Sequence, residues 1–175
     1  YSKKGTQNLM SYDNNSGEAE ERALRPSWPR SAADYTVLLV DDPAPHVRRY
    51  TLNRPEKRNA LNHALRAEIL HALREGDQDE DVHVMIVRGA GPSFSAGYDL
   101  GGGNDGLEYP FFTPPGEGQY PRHVTEGWMS IWELSKPVIA QVHGYCLAGG
   151  SELATGCDVV YMAEDAQMGY PAVRF

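Results

Sequence analysis

An α/β domain is what the sequence predicts, and three observations predict it. Short β-rich runs recur along the chain: YTVLLV from Tyr35, VRRYTL from Val47, VHVMIVRG from Val82, PVIAQVHG from Pro137 and DVVYMAE from Asp158. Segments with helical spacing alternate with them, and glycine-punctuated turns join the two. The later runs are apolar rather than strictly alternating, which reads as strands buried on both faces.

Each element has a local reason. YTVLLV and VRRYTL form a hairpin across DDPAPH, whose prolines and aspartates favour a turn. NRPEKRNAL follows as a second turn. Asn62 is the N-cap of a helix running to about Glu75, with Leu65, Ile69 and Leu73 on one face and Gly76 as its stop. VHVMIVRG is a strand, and GAGPSFSAGYDL after it is a turn punctuated by Gly89, Gly91 and Gly97. Residues 101–121, rich in Gly and Pro, read as a long loop. A helix is expected over Val124–Leu134, then the strand PVIAQVHG, a helix within HGYCLAGGSELATGCD, and the strand DVVYMAE. Residues 1–33 are polar and aperiodic, an arm that either drapes the surface or packs on a neighbouring subunit through Trp28, so the core spans 34–175.

Bulk properties narrow the function. A 175-residue chain with 41% hydrophobic residues supports one sizeable core. A net charge of −8 argues against a nucleic-acid binder, which must neutralise phosphates. The clusters Arg48-Arg49 and Lys57-Arg58 remain able to hold a small phosphorylated ligand. No apolar run approaches the roughly 20 residues that cross a membrane, and no signal pattern opens the chain, so no membrane partner and a cytoplasmic location are expected. Cys146 and Cys157 are too few for a disulfide scaffold and are expected to be buried thiols.

Most catalytic motifs are absent. GxxxxGK[ST] does not occur, GxGxxG fails at Gly89-Ala90-Gly91, and GxSxG fails because Leu153 follows Gly150-Ser151-Glu152. No HExxH occurs, the histidines are scattered, and His63, His71 and His123 are expected to be solvated. Two glycine turns remain. In SFSAGYDL, Gly97 permits a tight turn that lets the Tyr98 amide face a cleft. In CLAGGSEL, the Gly149 amide opens a helix, where N–H groups lack intrahelical acceptors and the dipole favours negative charge. Two such amides at one point would make an oxyanion hole, and Glu152, one turn further on, could act beside it as acid or base. The plainer reading is that these glycines serve close packing and Glu152 is an ordinary first-turn carboxylate.

NRPEKRNAL, SFSAGYDL, KPVIAQVHGYCLAGGSELATGCDVV and AQMGYPAVRF, in that order and spacing, resemble the enoyl-CoA hydratase/isomerase (crotonase) family from about Tyr35 to Phe175. The resemblance implies a spiral of ββα units forming two roughly perpendicular sheets flanked by helices, assembled as a trimer or a dimer of trimers. It implies a lyase or isomerase acting on an acyl-CoA thioester, with no cofactor beyond the CoA of the substrate. The Tyr98 and Gly149 amides match the oxyanion-hole donors, and Glu152 matches the first of the hydratase's two catalytic glutamates. Ala96, Tyr98, Asp99 and Leu100 match the stretch lining the acyl-CoA site, and Lys57, Arg58 and Ala60 the loop bordering the CoA nucleotide. Tyr170 is expected beside the substrate.

Two departures accompany the resemblance. The second glutamate would stand twenty positions after the first, in GxPE, and Ala172 stands there. Glu152 would then work alone or with Tyr170, Asp165 or Arg174. Alternatively the site would run isomerisation, decarboxylation or hydrolysis, or only bind acyl-CoA. Tyr98 would also narrow or polarise the acyl pocket. Chains of that family continue past Phe175, so the core is expected to be incomplete at its C-terminal end.

Overall fold

The computed structural model describes residues 35–101 and 127–171. The expected arm, most of the 101–121 loop, His123, Ala172 and Arg174 lie outside the described residues. The first strand, β1 (Leu38–Ala44), pairs antiparallel with β2 (Val47–Leu52). The hairpin is tighter than DDPAPH suggests, because β1 continues to Ala44 with an irregularity after Asp41, and His46 turns the chain at φ 62°. The following strands β3 (Val84–Gly89), β4 (Val138–Val142) and β6 (Val159–Met162) add in parallel, giving the order β1-β2-β3-β4-β6. A second, parallel sheet pairs β5 (Tyr145–Leu147) with β7 (Gln167–Gly169), and Ser95 bridges to Cys146 on its other side. Successive passes of the chain thus place β3 then Ser95, β4 then β5, and β6 then β7 alternately in the large and the small sheet. Neither β5 nor β7 is legible in the sequence, since three-residue strands carry no period.

Helix α1 (His63–Gln78) begins as expected, with Asn62 Oδ1 accepting the Leu65 N–H at 2.9 Å. Leu65, Ile69 and Leu73 are buried against the large sheet with Leu52, Met85, Val87 and Val138. Gly76 is no stop. It lies inside α1, where an added Cβ would stand 2.1 Å from the Tyr50 hydroxyl, so it leaves room for a buried ring. The helix ends two residues later, and Asp79 receives Arg48 at 2.7 Å. Glu68 is buried on the same helix and accepts the Thr36 and Val37 amides at 2.9 and 3.0 Å, anchoring the start of β1. Truncating Leu65 to alanine is expected to cost about 3 kcal/mol, read as a lower denaturant midpoint at unchanged slope.

Other expectations change. Residues 127–129 are helical but Ser130–Glu133 tighten into a 3-10 turn. Val159, Val160, Tyr161 and Met162 of β6 are all exposed, against the expectation of burial on both faces. Among the described residues β6 is the edge strand, with a hydrogen-bonded neighbour on one side only. Arg48 pairs with Asp42 and Asp79, and Arg49 with Asp41, so that cluster is already neutralised. His71 accepts or donates to the Tyr35 hydroxyl at 2.7 Å, and His63 lies 2.6 Å from an Arg66 nitrogen; neither is simply solvated.

Both cysteines are buried and unbridged. Burial pushes each thiol up to about 12 from an ordinary 9.0. The folded thiols keep their protons where unfolded ones ionise, so the stability they contribute falls as pH rises from 9 toward 12. Iodoacetamide at pH 8 is expected to leave both unmodified in the native protein and to label both after denaturation.

Candidate active site

The site is framed by the turn over residues 53–61. Pro55 opens a short 3-10 helix, Pro55–Lys57, and Arg58 and Asn59 follow at φ 50° and 53°. Asparagine visits this left-handed region more readily than most residues. Its side chain gives it a further reason to be here. Buried Asn59 accepts the Arg54 N–H at 2.9 Å and donates to the Ala90 and Ser93 carbonyls, both at 2.8 Å. One amide thereby ties the turn to the segment after β3.

Backbone bonds strap the same turn to SFSAGYDL. Ala96 N–H donates to Arg58 O at 2.9 Å, Leu61 N–H to Gly97 O at 2.7 Å, and Asp99 N–H to Leu61 O at 3.2 Å. Arg54 and Asp99 form a largely buried ion pair at 2.8 Å. The Arg54 guanidinium, hydrogen-bonded to Asp99, holds that carboxyl below its usual range. Two motifs some forty residues apart thus become one platform.

The start of helix α2 (Gly149–Gly156) closes on that platform. Ala148 precedes it at φ 47°, ψ −120°, a conformation that L-residues rarely adopt and that clusters at functional sites. Gly97 turns at φ 101°, and a Cβ there would stand 2.9 Å from Leu147 O and 3.5 Å from the Gly149 nitrogen. Tyr98 and Gly149 therefore stand on adjoining segments, with the Gly149 amide in the first turn of a helix.

Glu152 lies one turn into α2, half-buried, its own N–H donating to Ala148 O at 3.0 Å. The Tyr98 hydroxyl donates to Glu152 Oε2, and the hydroxyl oxygen of Tyr98 accepts the Trp128 indole N–H at 2.9 Å. The Tyr98 ring lies directly on Gly149, where a Cβ would stand 2.6 Å from Cζ. Arg66, only 4% exposed, places its guanidinium carbon 5.8 Å from the centre of that ring.

The structure brings Tyr98, Gly149 and Glu152 together, with Ala96 and Asp99 in the platform beneath them. Lys57 and Arg58 are exposed on its rim, Arg58 lying 5.6 Å over the Tyr145 ring, and Ala60 is half-buried. Leu100 is 98% exposed. Tyr170 follows β7, whose Gly169 carbonyl accepts the Ala148 N–H at 2.9 Å, and is itself 48% exposed. Asp165 is exposed in the turn between β6 and β7. Sequence reasoning missed Arg66 and Trp128. Arg66 stands three, four and seven positions before Ile69, Leu70 and Leu73, so it falls within the apolar stripe, a legible signal of a buried charge. Trp128 carries no such signal.

The model of the enoyl-CoA hydratase/isomerase family matches residues 45–175. Over 140 residues the chain is 41% identical to the mevalonyl-coenzyme A hydratase sidH of Aspergillus fumigatus, covering 78% of this chain and 48% of that protein. Over 160 residues it is 32% identical to a mitochondrial Delta(3,5)-Delta(2,4)-dienoyl-CoA isomerase of Mus musculus, covering 86% and 48%. Among solved structures, an enoyl-CoA hydratase/isomerase from Xanthobacter autotrophicus Py2 superposes with a TM-score of 0.68 at 38% identity, over 80% of this chain and 51% of that one. An enoyl-CoA hydratase from Mycobacterium smegmatis gives 0.69 at 33%, over 83% and 53%. The chain belongs to the enoyl-CoA hydratase/isomerase family and has its crotonase fold. It spans about half the length of the curated relatives it matches.

Proposed function

We propose that this chain carries the oxyanion hole and one acid–base carboxylate of an enzyme acting on an acyl-CoA thioester. The observation behind this reading is the meeting of the Gly97-Tyr98 turn with the start of α2, with the Glu152 carboxylate one turn away. The Tyr98 and Gly149 amides take the thioester oxygen as it gains charge, each contributing about 3–4 kcal/mol by the precedent of other oxyanion donors. Glu152 moves the proton. Ala96, Asp99 and Leu100 border the acyl group, Lys57, Arg58 and Ala60 border the CoA nucleotide, and Tyr170 closes one side. The CoA arrives as part of the substrate and no other cofactor takes part. The assembly is a trimer or a dimer of trimers, in the cytoplasm.

Hydration of an enoyl-CoA is the first reading. Double-bond isomerisation is the second, and Ala172 favours it: a single carboxylate can lift a proton from one carbon and return it to another, whereas hydration also needs water activated. The full-length protein, offered short, long and aromatic 2-enoyl and 3-enoyl thioesters, separates the two. Loss of the conjugated thioester absorbance indicates hydration and its gain from 3-enoyl esters isomerisation. Binding without turnover of any of them would leave an acyl-CoA-binding protein.

A further inference from the structure

The resemblance implies a role for the Tyr98 backbone amide, with the phenol narrowing or polarising the acyl pocket. The side chain does more than fill space. Its ring covers the bare Cα of Gly149, and its hydroxyl donates to Glu152 Oε2 while accepting the Trp128 indole N–H at 2.9 Å. The Arg66 guanidinium stands 5.8 Å from the ring centre. A part-buried hydroxyl needs partners in any case, but these two suit proton transfer, a carboxylate acceptor on one side and an indole donor on the other. The same indole donor would stabilise a phenolate, and a cation near the ring favours the same charge.

We propose that the Tyr98 phenol is a second catalytic group, passing a proton between the substrate and Glu152 where a second carboxylate is lacking. This rests on the acyl-CoA reading above. In hydration, the Glu152 carboxylate takes a proton from water as the water oxygen bonds to C3, and the C2–C3 π electrons move toward the thioester to form the enolate. The Tyr98 hydroxyl gives its proton to C2, the enolate electrons forming the new C–H bond. The phenolate left behind, held by Trp128, recovers a proton from the now neutral Glu152. Water is added, and both side chains end as they began. In isomerisation the same circuit runs with a substrate carbon, in place of water, giving the first proton to Glu152. The contact between the two side chains is the path by which the circuit resets.

The test is Tyr98→Phe in the full-length protein, which keeps the backbone amide and the ring on Gly149. Turnover is expected to fall about a hundredfold or more, with the dissociation constant of a non-reacting acyl-CoA thioester unchanged. In deuterium oxide, the wild type is expected to place deuterium on one face of C2, and the slow residual reaction of Tyr98→Phe to lose that selectivity. Trp128→Phe, which retains an aromatic ring but removes the indole donor, is expected to lose about tenfold in turnover, again without loss of affinity. It carries the test should Tyr98→Phe fail to fold. Turnover of Tyr98→Phe within threefold of wild type overturns the proposal, as does a fall matched by lost affinity, or undiminished turnover in Trp128→Phe. An active Tyr98→Phe beside an inactive Glu152→Gln sinks this inference alone; an active Glu152→Gln sinks the function reading with it.

Discussion

Glu152→Gln in the full-length protein is expected to lower turnover by about 10²–10⁴-fold while leaving acyl-CoA affinity nearly intact. The substitution is close to isosteric, and the amide oxygen still accepts the Tyr98 hydroxyl, so the packing of α2 on the Gly97 turn is preserved. What disappears is the ability to take up and release a proton. In the proposed site the thioester oxygen is held by backbone amides, so binding is expected not to depend on that carboxylate. Steady-state kcat, set beside calorimetric binding of a non-reacting thioester, separates the two quantities. A kcat within tenfold of wild type would remove Glu152 from the reaction.

Asn59→Ala is expected to be the most damaging substitution for stability, at about 4 kcal/mol. Asn59 is fully buried and satisfies one N–H and two carbonyls, on three residues of two chain segments. Alanine leaves all three without a partner in the interior, at about 1–3 kcal/mol each before relaxation. It must also hold φ 53°, where asparagine is better tolerated. Chemical denaturation and a melting temperature lower by roughly 10 °C would report it. A change below about 1 kcal/mol would show that water or a backbone shift replaces the amide.

The class of fold was legible because its evidence is local. The Asn62 cap, the Leu65/Ile69/Leu73 stripe and the Val-rich runs each follow from spacing within a dozen residues, and each is found in place. The two turns of the site were legible for the same reason, since Gly97 and Gly149 mark where a chain does what side chains forbid. What stayed hidden depends on tertiary approach. Gly76 reads as a helix stop until the Tyr50 ring fills the space a Cβ would need. Tyr98 reads as a side chain that narrows or polarises the acyl pocket until Trp128, thirty residues on, and Glu152, fifty-four on, are brought to its hydroxyl. The β6 residues look like a buried strand because hydropathy does not tell an edge from an interior position.

The separation of those three residues also has a kinetic meaning. Local elements such as α1 can form early, but the Tyr98 hydroxyl meets its partners only after loops of 30 and 54 residues have closed. Closing such loops costs chain entropy before any contact compensates for it. The Trp128–Tyr98–Glu152 junction is therefore expected to form after α1, together with the other long-range contacts of the described chain.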